Sequence, residues 1–579
     1  MTKSSLSIVK NVAIAFGVLI LLLFVSSLVH KRFDVTEEKR FTLTEATQDC
    51  LENLTDTIRV TCYLTGDLPL SFVKMEREVS DMLQEFQQKA GKSNFMVKFI
   101  DPQSIGDKKN FKHTISRLNR DYGLAPYTIQ EEDENGKITQ RFIIPGLIVS
   151  TSQKFVTVNM LSNTMGNSPE EQINEALQNI EYQCIKAIKQ LTATERKNIA
   201  FLTEQDEIPL LYSYNATVAL LDLYNVDRVS TQQLLDSIQK YDALIIAEPT
   251  KPFTEQDKAV IDQYLMFNGN VFFLSDNITV SMDSLKKSAV TYAFPKDLNI
   301  SDLLFNWGVR INNTILLDNQ CAKIPMNTAA FGEQPRFTPV PWYYFPLFRP
   351  HDSHLITKNI DVVKSEFASS IDTIEGNCNL QKTILMTSSA YARVLATPNM
   401  VGFNVLQNTP NKEFFNKYFV PTAVLMEGQC KSLYQSRKSP LVGSTLEIPD
   451  SFVRKEESEQ NRIIVVSDGD IIRNEIEVTN GDTVPKPLYF YKYFSFDKRA
   501  YTGNLDFFVN AVSYLCGDSD LLSIRAREIK IRLLNKSKLV EEKFLWQLLN
   551  VVGPIVIVSL IGIILFYIRK RKYSKHYVG

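Results

Sequence analysis

Asp-Ala-Leu-Ile-Ile-Ala, at residues 242–247, is a continuous apolar run typical of a strand covered by helices on both faces. Residues 198–203 (Asn-Ile-Ala-Phe-Leu-Thr) and 270–274 (Asn-Val-Phe-Phe-Leu) have a similar composition. Between the first and the last of these runs, Thr254 is placed to cap a helix and Gly269 to end it. This alternation predicts an α/β fold on an open, mostly parallel sheet, flavodoxin-like in outline.

A smaller α/β unit precedes this region. Residues 57–64 alternate apolar and polar side chains as a strand does, and residues 94–100 form a second candidate strand. Residues 69–90 lie between them and place apolar side chains at three- and four-residue steps, which predicts an amphipathic helix that ends at Gly91. A strand, a helix and a strand in this order predict a β-α-β unit, as in a thioredoxin-like domain.

Two uncharged runs, from Val12 to Val29 and from Leu548 to Ile568, lie near the two ends of the chain. Each approaches the ~20 residues that a helix needs to cross a bilayer, so we predict two transmembrane helices. Basic residues 569–572 follow the second run and favour a cytoplasmic C-terminus. Two crossings of the inner membrane then place the N-terminus in the cytoplasm and the polar region in the periplasm. A cleaved signal peptide is the alternative for the first run.

These patterns predict a membrane-anchored periplasmic ectodomain with two or more open α/β sheet domains. The predicted parts are a cytoplasmic tail with the first transmembrane helix (1–32), a stem with the small thioredoxin-like domain (33–165), a linking helix (166–195), the flavodoxin-like domain (196–400), the C-terminal part of the ectodomain (401–545), and the second transmembrane helix with its basic cytoplasmic tail (546–579).

Composition excludes several classes of function. A formal net charge of −1 gives no nucleic-acid signature. The seven cysteines are scattered singly without a C-x-x-C pair, which predicts neither a disulfide framework nor a zinc site. The chain has no G-x-x-x-x-G-K-[ST], G-x-S-x-G or H-E-x-x-H motif. We therefore predict a protein that is not an enzyme, with no catalytic residue, no cofactor and no resident metal.

Three polar segments were candidates for chemistry. Asp468 and Asp470 follow a predicted strand at residues 462–467, where two carboxylates could hold a hard cation or form a turn that caps the next segment. The pair of histidines at residues 351–354 could bind a metal, and Ser275 with Asp276 ends another predicted strand. A turn or a solvated loop is the favoured interpretation of all three segments, because sequence places no further ligand or partner beside them.

An aromatic, proline-rich segment spans residues 325–350 and is predicted to be an extended loop. Trp342, Tyr343, Tyr344 and Phe345 are large, rigid side chains of the kind that protein interfaces favour. They are candidate interface residues, and packing of the loop is the alternative. This segment favours protein partners over a small-molecule ligand, whose existence the sequence leaves open.

Four segments together resemble the GldG family, the gliding-motility-associated auxiliary proteins of ABC transporters in Bacteroidota. They are the stem at residues 31–43 (KRFDVTEEKRFTL) and residues 302–311, 341–347 and 466–474. The resemblance implies a non-enzymatic auxiliary component that works beside a separate permease and a cytoplasmic ATPase in gliding motility and linked secretion. It brings no catalytic residues. The alternative is an anchored periplasmic α/β enzyme or a solute-binding receptor.

Overall fold

The computed structural model describes residues 42–527 and 542–574, together with Gly17, apart from residues 106–110, 133–137, 162–168, 281, 289, 330–331, 407–412, 451 and 480. The chain forms two compact units. Described residues 42–527 belong to the first unit and 542–574 to the second.

The N-terminal part of the first unit contains the predicted β-α-β motif. Its elements are α1 (Glu45–Glu52), β1 (Ile58–Cys62), α2 (Leu70–Ala90), β2 (Phe95–Phe99), α3 (Phe111–Tyr122), β3 (Tyr127–Glu132), β4 (Ile138–Ile143), β5 (Gly146–Ser150), β6 (Phe155–Asn159) and α4 (Pro169–Thr192). A four-stranded sheet has the order β2-β1-β5-β6, in which β1 and β2 are parallel and α2 connects them. The apolar stripe of α2 is buried, and Gly91 follows the helix with a φ of 83°.

The next part begins with alternating strands and helices. Its elements are β7 (Asn198–Leu202), α5 (Tyr214–Leu221), β8 (Asn225–Val229), α6 (Thr231–Asp236), β9 (Ala243–Ala247), α7 (Glu255–Met266), β10 (Asn270–Leu274), β11 (Ile278–Thr279), α8 (Met282–Ser288), β12 (Val290–Pro295), α9 (Ser301–Trp307), β13 (Val309–Ile311) and β14 (Thr314–Asp318). Strands β7, β9 and β10 coincide with the three apolar runs that predicted them.

The remaining part is richer in strands. It contains β15 (Cys321–Asn327), β16 (Phe337–Pro350), β17 (Val363–Lys364), β18 (Ile371–Thr373), β19 (Asn379–Thr387), β20 (Ala392–Ala396), β21 (Asn399–Gly402), β22 (Pro421–Gln429), β23 (Asn461–Val466), β24 (Ile476–Thr479), β25 (Asp482–Pro485), α10 (Phe494–Asp497), α11 (Gly503–Leu515) and α12 (Ser519–Arg525). The expected loop at 325–350 is wrong in its second half, which is the fourteen-residue strand β16.

A central ten-stranded sheet joins these two parts. Its order is β15-β16-β19-β22-β23-β10-β9-β7-β8, with β17 beside β16. The segment β8-β7-β9-β10-β23 is parallel and has the 2-1-3-4-5 order of flavodoxin-like sheets. The other strands are antiparallel, so the sheet is mixed rather than mostly parallel. It also takes strands from both sides of residue 400, where the sequence placed a domain boundary.

Both faces of the parallel half are covered, as the apolar runs predicted. Val271 and Phe273 of β10 join a core with α7. Phe272 of β10 faces the opposite way and packs against Phe508 of α11, with 5.7 Å between ring centroids. All five residues of β9 are buried. Because apolar side chains cover both faces of this half, polar side chains contact the sheet at the ends of its strands.

Two of the seven cysteines form a disulfide, whereas the other five are free. Cys378 and Cys430 are bonded, with 4.3 Å between their Cα atoms. They flank the cross-strand pair Asn379 and Gln429 of β19 and β22. Sequence spacing could not predict the bond, because 52 residues separate the two cysteines and antiparallel pairing alone brings them together.

The second unit contains helix α13 (Lys543–Ser574). Its stretch Trp546–Arg571 is long and apolar enough to cross a membrane, and it includes the predicted run from 548 to 568. The predicted helix at 12–29 and residues 31–41 of the stem lie outside the described residues, apart from Gly17.

Candidate functional site

Three neighbouring parallel strands end in acidic side chains. Glu248 directly follows β9, Asp276 follows β10 after one serine, and Asp468 and Asp470 follow β23. Because parallel strands end at one edge, these side chains gather there: carboxylate oxygens of Glu248, Asp276 and Asp470 lie within 4.8 Å of one another. Ligands of open α/β sheets bind outside this edge. The sequence missed Glu248, although its place directly after a buried strand is the signal that Asp276 and Asp468 share.

Asp468 has a structural role within this edge. Its side chain is fully buried, and its two carboxylate oxygens accept hydrogen bonds from the backbone N–H groups of Asp470 and Glu366, both at 2.7 Å. The first of these bonds holds the short 3₁₀ turn Asp470–Ile472. Asp276 supports the same loop, because its Oδ1 accepts a hydrogen bond from the Gly469 N–H at 3.0 Å. Asp468 therefore acts as an acceptor within this turn. Whether the segment serves only as a turn or also as a ligand site stays a prediction.

Arg473 connects the acidic edge to solvent. Its Nε donates to Asp470 Oδ1 at 2.7 Å, and its Nη2 pairs with Glu248 Oε1. The guanidinium lies over the Tyr212 ring, 4.9 Å from the centroid. Glu248 Oε2 is buried and has no hydrogen-bond partner in the described part of the chain. Glu248, Asp276 and Asp470 offer oxygen ligands that suit Ca²⁺ or Mg²⁺, whereas the sequence had paired Asp470 with Asp468 for that purpose.

Crowding and burial change the protonation of these acids. Burial first, and then the charge of Asp470, raise the pKa of Glu248 to about 7 and that of Asp276 to about 8. Burial, with the charge of Asp276 beside it, raises the pKa of Asp468 well above its usual range. Near neutral pH the edge therefore holds protons on some of its carboxyl groups.

A second group of charged side chains, Lys364, Glu366, Glu475 and Lys492, lies next to Asp470 and Arg473 around one cavity. Burial of Glu366 acts to raise its pKa, but Lys364 and Lys492 outweigh this effect and keep the pKa below its usual value. Lys364 Nζ lies 2.7 Å from Glu366 Oε1. Lys492 Nζ is 3.9 Å from Glu366 Oε2 and 3.7 Å from Glu475 Oε1. These side chains border a cavity of about 250 Å³.

The other predicted site residues do not join this cluster. His354 is partly buried, its ring lies 4.9 Å from that of Tyr514, and its Nδ1 accepts a hydrogen bond from the Ile356 N–H. Burial lowers the pKa of His354, which favours the neutral ring. Ser275 is fully buried, and its Oγ lacks a hydrogen-bond partner among the described residues.

The aromatic segment belongs to the core. Trp342, Tyr343, Tyr344 and Phe345 are only 0–5% exposed, and they lie in β16. Trp342 packs against Tyr344 and Phe403, with ring centroids 5.0 and 5.3 Å apart. The structure therefore corrects the interface prediction for these four residues in favour of the packing alternative, because buried side chains are not available to a partner.

Comparison with known proteins identifies the family. A family model described as an ABC-type uncharacterized transport system matches residues 196–511, more than half of the chain. The chain belongs to this family. The matched segment contains all ten strands of the central sheet. It also contains the charged edge, by which we mean the acidic residues at the strand ends together with the charged side chains around the cavity. Membership in this auxiliary family supports an accessory role in an ABC-type transport system. A second model, a domain of unknown function (DUF7088), matches residues 37–150.

Individual relatives add less. An uncharacterized protein of Borreliella burgdorferi is 19% identical over 580 residues, which cover 97% of this chain and 98% of that protein. Among solved structures, the mmIFT52 N-terminal domain matches with a TM-score of 0.30 and 10% identity, over 55% of this chain and 97% of that domain. A TM-score this low does not establish a shared fold.

Proposed function

We propose that this chain is a non-enzymatic, membrane-anchored accessory subunit of an ABC-type transport system. The family match over residues 196–511 carries the proposal. The partners would be a separate permease and a separate cytoplasmic ATPase. The chain has no G-x-x-x-x-G-K-[ST] motif, so ATP hydrolysis by a P-loop belongs to another subunit.

The proposed location is the inner membrane, with two crossings and a periplasmic first unit. The apolar stretch Trp546–Arg571 and the basic residues that end it support this orientation. The Cys378–Cys430 disulfide gives independent support, because disulfides persist in oxidising compartments such as the periplasm and are rare in the cytosol. The proposed cellular process is gliding motility with linked secretion, which the resemblance at residues 31–43, 302–311, 341–347 and 466–474 supports.

Co-purification tests the accessory role. A tagged chain, expressed at its native level and extracted with a mild detergent, should bring down an ABC permease and an ATPase. A tagged, unrelated two-pass protein of the same membrane is the control. If neither subunit is enriched over that control, the accessory role is wrong. Loss of gliding after deletion of the gene, restored by the intact gene, would test the cellular process separately.

Cysteine labelling tests the topology. Thr250 is exposed, whereas the free cysteines Cys50 and Cys321 are partly exposed and could react as well. Thr250→Cys is therefore introduced into a chain that carries Cys50→Ser and Cys321→Ser, in which the remaining free cysteines are buried. A maleimide that cannot cross the inner membrane should label Thr250→Cys in cells with a permeabilised outer membrane. The chain with Cys50→Ser and Cys321→Ser but with the native Thr250 is the matched control. Labelling that requires lysis of the inner membrane would contradict a periplasmic first unit.

A further inference from the structure

The cavity at the outer end of the acidic edge has a balanced charge. Its walls include three cationic and three acidic side chains: Lys364, Arg473, Lys492, Glu366, Asp470 and Glu475. An anion placed there would be attracted by the cationic side chains and repelled by the carboxylates. A simple cation would be attracted by the carboxylates and repelled by the cationic side chains. A ligand that carries one charge of each sign can place each end beside its opposite, so both ends gain.

One side of the cavity is rigid. Asn504 fixes Lys364 through both backbone groups: its Oδ1 accepts from the Lys364 N–H, and its Nδ2 donates to the Lys364 carbonyl, both at 2.8 Å. Asp468 holds the backbone N–H of Glu366. Lys364 and Glu366 form an ion pair at 2.7 Å. The backbone of both residues is therefore fixed by hydrogen bonds with buried side chains.

The side chain of Lys492, which also borders the cavity, is held less tightly. The ion pairs of Lys492, at 3.7 and 3.9 Å, are longer than a hydrogen bond. Its ammonium lies 5.5 Å from the centroid of the Tyr493 ring and 6.0 Å from that of Phe345, which keeps it beside the cavity. A ligand carboxylate can approach Lys492, and a ligand ammonium can approach Glu475, without breaking a short protein bond.

We propose that this cavity binds a small zwitterion of the amino acid or dipeptide class, with its carboxylate at Lys492 and its ammonium at Glu475. The volume of about 250 Å³ is below the range of roughly 300–1,000 Å³ for pockets that hold drug-sized molecules, which limits the ligand to this size. The site lies outside the carboxyl ends of the parallel strands, where α/β sheets bind ligands. The proposal does not depend on transport partners, because the isolated chain contains every residue of the site.

Calorimetric titration of the full-length chain in mild detergent tests this site. The probes are L-alanine and L-alanyl-L-alanine, and at least one should bind saturably. N-acetylation of the probe that binds, or conversion of its carboxylate to an amide, should weaken binding at least about tenfold, because each change removes a charge-assisted contact. Absence of saturable binding for both probes at millimolar concentration would overturn the proposal, and so would undiminished binding of the modified probes.

Variants locate the site. Lys492→Gln and Glu475→Gln should each weaken binding at least about tenfold, whereas Lys492→Arg should retain most of it. Lys189→Gln is the matched control, because Lys189 is also 30% exposed and pairs with Asp520 at 3.7 Å, beside a different cavity. Unchanged binding in both Gln variants, or an equal loss in Lys189→Gln, would place the ligand elsewhere. Thermal unfolding of each variant shows whether a loss of binding reflects a loss of folding, and the modified probes test the site on the unsubstituted chain.

Discussion

The two halves of the central sheet use their side chains differently. In the parallel half, strands β9, β10 and β23 end at the same edge, where Glu248, Asp276 and Asp468 gather. In the antiparallel half, successive strand ends alternate between the two edges, so no comparable cluster forms there by direction alone. That half instead buries aromatic side chains in β16 and joins β19 to β22 with a disulfide. The difference indicates that strand direction alone gathers acidic side chains at one end of the parallel half, whereas the antiparallel half is held by buried aromatic side chains and a cross-link.

The aromatic core provides the strongest test of this division. Trp342→Ala should lower the free energy of unfolding by about 3–5 kcal/mol, because the side chain is fully buried and its removal leaves a cavity. Phe337→Ala, in the same strand but at a side chain that is 54% exposed, should cost less than about 1 kcal/mol. Chemical denaturation of the full-length chain in mild detergent, followed by circular dichroism, measures both. Similar losses for the two variants would contradict the packing assigned to β16.

The disulfide should have the next largest effect. Replacing both Cys378 and Cys430 by Ser removes a cross-link between residues 52 positions apart. Such a change should destabilise the chain by about 2–4 kcal/mol in the same assay, and reduction of the unsubstituted chain should approach the same value. Cys321→Ser, at a free and partly exposed cysteine, is the control. Equal stability before and after reduction would contradict a stabilising role for this bond.

The same comparison explains what the sequence could predict. In the parallel half, β7, β9 and β10 are apolar runs, and the capped helix α7 joins β9 to β10. Local patterns were therefore sufficient to predict these four elements. In the antiparallel half, Pro339, Pro341 and Pro346 argued against a strand at 325–350. The register pairs residues 337–341 of β16 with β15, and β17 and β19 join only at 347–350. Prolines at 339 and 341 are tolerated because that stretch is paired on one side.

The charged edge was predictable only in part. Asp468, Asp470 and Asp276 could be selected because each follows a predicted strand, and their mutual proximity follows from parallel strands. Lys364, Glu366 and Lys492 could not be found in this way. Lys364 ends the two-residue strand β17, and Lys492 lies between β25 and α10, so neither carries a local signal. Their positions depend on long-range packing that an isolated sequence pattern does not contain.

The acidic edge makes the parallel half sensitive to pH. The pKa of Asp276 is raised to about 8, and that of Glu248 to about 7, so the folded state holds protons that the unfolded chain releases near pH 4. The resulting stability is present in full below about pH 4 and is lost as pH rises to about 8, with a slope of at most about 1.4 kcal/mol per pH unit for each proton. Melting temperature measured against pH should show this fall.

Asp276→Asn tests the origin of that fall. Asn cannot titrate, and its Oδ1 can still accept the Gly469 N–H. The variant should show a shallower decline and should be more stable than the unsubstituted chain above pH 8. Asp121→Asn, at an exposed position, should leave the profile unchanged. A profile of Asp276→Asn that coincides with that of the unsubstituted chain would remove Asp276 as the cause.

The smallest expected effect comes from a helix cap in the parallel half. Thr254 Oγ1 accepts a hydrogen bond from the Asp257 N–H at 3.2 Å, and Asp257 Oδ2 accepts from the Thr254 N–H at 2.8 Å, which closes a capping box at the start of α7. Thr254→Ala removes one of these acceptors and should cost about 1 kcal/mol, whereas Thr254→Ser keeps the hydroxyl and should cost only a few tenths. Chemical denaturation under the conditions used for Trp342→Ala places both halves on one scale. If Thr254→Ala destabilised the chain as much as Trp342→Ala, a single helix cap in the parallel half would contribute as much stability as a buried tryptophan in the antiparallel half. That result would contradict the expected ranking of the two effects.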